Sequence, residues 1–159
     1  MTFKGIQKTF TYRQINEGNI DEVFPLLCPV REKDWLDGWD YKMIHSNSGL
    51  IEKDCVFATP AKNNKEMVWQ VTKYDVQKKK IEFLRVTPGE NVVKINIHLY
   101  EKSQNQTWSE IEYMFTGLNP AQNEYIKTQL HKDFVESMKW WEKSINHYIK
   151  TKSLLKKNG

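Results

Sequence analysis

The C-terminal quarter of the chain constrains the fold most. At 100° per residue, Ile126, Leu130, Phe134, Met138, Trp141, Ile145, Tyr148 and Ile149 fall in one sector about 140° wide, while Lys132, Lys139, Lys143 and Lys150 fall opposite. Asn119-Pro120-Ala121-Gln122 supplies an N-cap Asn, a Pro at the first helical position and a Gln that answers the cap. The pattern predicts one helix from Pro120 to Ile149, about 45 Å long, with an apolar stripe that another surface must cover.

The preceding sequence supplies that surface. Trp39–Ser46, Cys55–Thr59, Met67–Tyr74, Ile81–Thr87, Val92–Tyr100 and Thr107–Phe115 are strand-patterned, and short turns such as Pro88-Gly89 separate them without an intervening helix. Residues 3–15 predict a further strand. Asp21–Leu27 and Arg31–Leu36 predict two short helices, stopped near Cys28-Pro29 and at Asp37-Gly38. An antiparallel sheet can bury one face and leave the other wet. The expected fold is therefore α+β: a curved seven-stranded antiparallel sheet around a long C-terminal helix, with two short helices after the first strand. Residues 1–150 are expected to form a single domain and 151–159 a basic tail.

Composition narrows the function classes. At 159 residues the chain suits one domain, and 13% aromatic content with six Trp argues against disorder. No apolar run approaches the roughly 18 residues of a membrane span. The opening residues lack the apolar core of a secretory signal, so a cytoplasmic location is expected. Residues 1–120 carry 16 Lys/Arg against 16 Asp/Glu, so the whole net charge of +4 comes from the last 39 residues. A basic feature confined to one end does not resemble a nucleic-acid-binding face. Cys28 and Cys55 lack the paired spacing of redox or zinc motifs and read as reduced, buried thiols. No phosphate-binding Gly-rich loop, zinc-protease motif or nucleophile elbow occurs. His45, His98, His131 and His147 are scattered without metal-ligand spacing. The sequence therefore calls for no metal and no cofactor, and it leans against an enzyme. Glu110 and Glu112 share a strand face opposite Ile111, Tyr113 and Phe115, so both are expected in solvent.

Strand parity predicts the inward set: Tyr41, Met43 and His45; Cys55 and Phe57; Trp69 and Val71; Ile81, Phe83 and Arg85; Ile95, Ile97 and Leu99; Ile111, Tyr113 and Phe115. Val68 competes with Trp69, and Leu84 and Val86 compete with Phe83. His45, Arg85 and Tyr113 are the polar members. A buried Arg is costly without a partner, so Arg85 needs a carboxylate, water or ligand anion; otherwise it reaches solvent from a strand end. His45 is either a strand-end residue or a ligand contact, and Tyr113 either a pocket donor or core. Ser137 and Ser144, small residues in the helix stripe, leave room for a helix or a ligand. Trp35 either lines a mouth or lids the core. Candidate ligand-binding residues are His45, Phe57, Trp69, Arg85, Tyr113, Phe134, Met138, Trp141 and Trp35. Lys78-Lys79-Lys80 reads as a solvated hairpin tip. Lys150–Lys157, with Leu154 and Leu155, either touches an acidic membrane surface transiently or frays.

The element order, together with Val23–Trp39 (VFPLLCPVREKDWLDGW), Val68–Gly89 (VWQVTKYDVQKKKIEFLRVTPG) and Phe134–Ile149 (FVESMKWWEKSINHYI), resembles the START-related superfamily. This group, also called SRPBCC, includes polyketide cyclase/dehydrase-type proteins, lipid-transfer proteins and the birch-pollen-allergen fold. The resemblance implies a helix-grip fold with a cavity between the sheet and the long helix. Members bind sterols, lipids, polyketides or plant hormones there, and a minority catalyse cyclisation or dehydration. No catalytic motif carries over, and fold does not fix function. The resemblance implies binding, and in some members transport, of a small hydrophobic or lipid-like molecule. The alternatives are a cyclase or dehydratase using His45, Arg85 or Tyr113, and an interaction module of the chaperone-activating type using the outer sheet face.

Overall fold

The computed structural model describes residues 2–157. Strand β1 (Gln7–Asn16) is followed by helix α1 (Ile20–Val23), a 3-10 turn over Phe24–Leu27 and helix α2 (Pro29–Trp35). Six strands then run in sequence: β2 (Lys42–His45), β3 (Val56–Pro60), β4 (Glu66–Asp75), β5 (Lys80–Thr87), β6 (Asn91–Ser103) and β7 (Gln106–Gly117). Helices α3 (Pro120–Thr128) and α4 (Leu130–Thr151) complete the chain. The strands form one antiparallel sheet in the order β1-β7-β6-β5-β4-β3-β2. The meander read from the sequence is present, and β1 joins it beside β7.

Period-two alternation sets the inner face. Phe57, Trp69, Val71, Ile81, Phe83, Ile95, Ile97, Leu99, Ile111 and Phe115 are buried against Phe134, Met138, Ile145 and Ile149 of α4. Each such side chain contributes about 1.5–3 kcal/mol by leaving water. The two contested parities are resolved: Trp69 is 8% exposed and Val68 40%, while Phe83 is buried. Phe57 stacks on Trp69 with centroids 5.2 Å apart, and Trp69 meets Phe83 edge-on at 5.8 Å. Cross-strand aromatic contact thus reinforces the register.

Four local expectations need correction. The single helix over 120–149 is two, because Gln129 leaves helical geometry at φ −123°. The helices have different anchors. Asn123 Oδ1 accepts from the Ile6 amide at 2.8 Å and Asn119 Nδ2 donates to the Gly89 carbonyl at 2.9 Å, which holds α3 to strand ends. Glu142 accepts from Tyr12 Oη at 2.8 Å and from the Ile15 amide at 2.9 Å, which holds α4 along β1. Tyr125 Oη and Gln129 Nε2 both donate to Asp133 across the bend.

The second correction concerns His45. Met43 pairs with Phe57 but His45 pairs with Val56, so Ile44 is an extra residue in β2. A bulge of this kind inverts the facing of the residues beyond it, and His45 is exposed. Third, the tail does not fray: Leu155 pairs with Leu36, and the Lys157 amide donates to Asp37 Oδ2 at 3.0 Å. The last two residues of that expected tail lie outside the described residues. Fourth, Lys79 is not simply solvated. Its ammonium lies 5.5 Å from the Phe24 ring centroid and 3.2 Å from Asp21. Cys28 and Cys55 are buried free thiols.

Candidate functional site

Sheet and helix do not close on each other completely. An inner lobe of about 320 Å³ lies between the inner ends of β3–β7, α2 and the middle of α4. A wider lobe of about 860 Å³ continues toward α3. Pro60, Met67, Arg85, Tyr113, Ser137 and Met138 line both lobes. Exposed Gly38, Asp40, Pro60 and Ser137 mark the mouth of the inner lobe. Two other hollows, about 600 Å³ beside Glu17 and His147 and about 410 Å³ on the outer sheet face, lie outside the grip.

Seven of the candidate residues converge on this space. Phe57, Trp69, Arg85, Tyr113, Met138 and Trp141 line the inner lobe, and Phe134 lines the outer one. Trp35 lies behind that wall, wholly buried, with its ring edge-on to Trp141 at 5.0 Å and its Nε1 donating to the Leu26 carbonyl at 2.8 Å. His45 lines neither lobe, because the bulge at Ile44 sends it to solvent. Of the two small stripe residues, Ser137 borders the cavity and Ser144 is packed out of reach.

The walls are mostly apolar, which makes their polar groups informative. Trp69 Nε1 donates to Thr59 Oγ1 at 2.9 Å, fixing the indole plane. The Arg85 guanidinium lies 5.2 Å from the Trp69 centroid and 5.9 Å from those of Tyr113 and Phe115. Arg85 Nε is buried without a hydrogen-bond partner, and no carboxylate pairs with Arg85 among the described residues. Aromatic faces attract a cation but accept few of its N–H groups. Burial pushes the Arg85 pKa down, offset by Tyr113; a guanidinium nevertheless stays charged.

Glu32 was not singled out in the sequence. It lines the inner lobe from α2, and burial pushes its carboxyl well above the usual carboxylate range, with the nearby Trp141 side chain opposing. Glu32 and Arg85 are both half-buried and both line the inner lobe, and the Arg85 Nε is fully buried. Tyr113 is raised by the same desolvation, with Arg85 opposing and Glu32 adding to the effect. A signal for Glu32 did exist. Spacings of three and four residues place it on the face of α2 that carries Pro29, Trp35 and Leu36. An acid on an apolar helical face calls for a partner.

Among the described residues no cluster of His, Cys, Asp or Glu could hold a metal ion, and no helix is long and apolar enough to cross a membrane. No protein-family model and no curated protein matches the chain. Solved structures do. Norcoclaurine synthase from Thalictrum flavum, in complex with dopamine and hydroxybenzaldehyde, superposes with a TM-score of 0.67 at 9% identity, over 92% of this chain and 88% of that one. A hypothetical protein from Helicobacter pylori gives 0.72 at 10% identity, over 89% and 87%. CalU16 from Micromonospora echinospora gives 0.61 at 14% identity, over 87% and 76%. At these identities the likeness concerns architecture: the chain has the START-type helix-grip fold, with its cavity between sheet and C-terminal helix.

Proposed function

We propose that this protein binds a small, largely apolar molecule in the space between its sheet and α4. The observation that carries the reading is the two-lobed cavity walled by Phe57, Trp69, Tyr113, Phe134, Met138 and Trp141. Each lobe falls in the range of about 300–1,000 Å³ common for small-molecule sites. Binding is driven by removal of apolar surface from water, and the few polar wall groups orient the guest. The complex that norcoclaurine synthase forms with dopamine and hydroxybenzaldehyde supports the use of this architecture for small aromatic guests. Native mass spectrometry of the purified protein, before and after organic extraction, tests the reading. A stoichiometric adduct lost on extraction is expected, together with saturable one-site uptake of a neutral fluorescent probe such as N-phenyl-1-naphthylamine. Failure to take up any apolar probe would end the proposal.

One observation favours a second reading, a cyclase- or dehydratase-type enzyme: Glu32, Arg85 and Tyr113 share the wall of the inner lobe. A protonated carboxyl and a fixed cation on one guest would serve as acid and oxyanion stabiliser. His45 takes no part in that version. Turnover of a hydrophobic polycarbonyl substrate, lost in Glu32→Gln, would distinguish it from simple binding.

A further inference from the structure

The cavity's polar groups are unequal in a way that specifies the guest. Arg85 brings a full positive charge to the wall shared by both lobes, held among the Trp69, Tyr113 and Phe115 rings, with a buried Nε that no protein atom satisfies. Of the acids that border the lobes, Asp40 is exposed and lies 3.9 Å from Lys33, and Asp133 is engaged by Tyr125 and Gln129. Glu90 sits in the β5–β6 turn, and Glu32 lines the inner lobe from α2 with a carboxyl that burial pushes well above the usual range. None pairs with Arg85 among the described residues. A charge whose Nε is buried without a partner is costly, and among the described residues aromatic faces surround it in place of a counterion.

We infer that the ligand is a monoanionic amphiphile, a carboxylate or sulfonate on an aromatic or alkyl body, whose head is held by Arg85 while the body lies along Trp69, Tyr113 and Met138. The planar guanidinium offers paired N–H donors that match a carboxylate or sulfonate edge, and the rings beside it form an apolar surround for the contact. Glu32, across the inner lobe, serves as a hydrogen-bonding group for an uncharged acceptor on the body. This inference rests on the cavity being a ligand site, and a paired-probe titration separates the two claims.

N-phenyl-1-naphthylamine and 1-anilinonaphthalene-8-sulfonate share one aromatic body and differ by the sulfonate. Both are titrated by fluorescence into the full chain, its Arg85→Met and Arg85→Lys variants, and Ser137→Trp, which fills the mouth. The anionic probe is expected to bind wild type about 10- to 100-fold more tightly than the neutral one, the value of a charge-assisted contact. Arg85→Met should remove that advantage and leave neutral-probe affinity within about 3-fold; Arg85→Lys should restore part of it. Dodecanoate should displace the bound probe and dodecanol should do so poorly. Arg85→Met removes a half-buried charge whose Nε has no partner, so its Tm should not fall, which keeps the comparison valid. Equal affinities for the two probes, both unchanged in Arg85→Met, would overturn the anion inference and leave the cavity reading standing. Failure of both probes to bind, or anionic binding that survives Ser137→Trp, would overturn both.

Discussion

Replacing Trp141 with Ala tests the joint between cavity and core. The ring meets Trp35 edge-on at 5.0 Å and lines the inner lobe beside Glu32. Trp35 is wholly buried and tied to the Leu26 carbonyl, so it cannot slide into the vacated space. Truncating a core Trp costs about 3–5 kcal/mol, of which about 0.5–1.5 kcal/mol belongs to the aromatic pair. Trp141 already borders open space, so the expected loss is at the low end, about 3 kcal/mol. For a chain of this length that corresponds to a fall in Tm of about 6–12 °C, at about 2–4 °C per kcal/mol. Urea unfolding followed by circular dichroism measures it, with scanning calorimetry as the second readout. Trp108→Ala is the matched control, since that ring lies on the outer sheet face against Arg13 and Lys102. It should lose about 1 kcal/mol or less. Affinity for N-phenyl-1-naphthylamine should fall in Trp141→Ala and not in Trp108→Ala. If the two variants were equally stable, Trp141 would not join core and cavity as described.

Three more outcomes arise from the same contacts. Because burial raises the Glu32 carboxyl, the folded chain holds a proton that the unfolded chain releases above about 4.5. Stability contributed by that group is therefore lost as pH rises from the unfolded value through the folded one. Glu32→Gln should flatten this slope, gaining on wild type at pH 8 and not at pH 4; parallel urea curves at both pH values would contradict it. Glu142→Ala should cost about 1–3 kcal/mol by leaving the Ile15 amide unpaired and releasing Tyr12. Its phenol, raised to about 12 mainly by burial and then by Glu142, should titrate lower in that variant, which spectrophotometric titration reads. Gly5→Ala should be more damaging than Gly38→Ala despite the latter's φ of +83°. A Cβ at residue 5 would collide with the Gly117 carbonyl oxygen, whereas the space around Gly38 is open. Thermal unfolding of the two variants orders them.

Local sequence carried most of the architecture. The alternation in Val92–Leu99 and Ile111–Phe115, the stripe from Ile126 to Ile149, and the Asn119-Pro120 start are short-range patterns set by backbone geometry, with periods of 2 and 3.6 residues. Those patterns placed the strands within a few residues and put Phe57, Trp69, Tyr113, Met138 and Trp141 on the inner side. Tertiary contacts decided the rest. The extra residue at Ile44 sends His45 to solvent, and separate anchoring of α3 and α4 bends the helix at Gln129. Glu32 and Arg85 lie 53 positions apart and share a wall only because α2 packs across the open end of the grip. A void is the space left between surfaces curved by non-local pairing, and no periodicity along the chain records it.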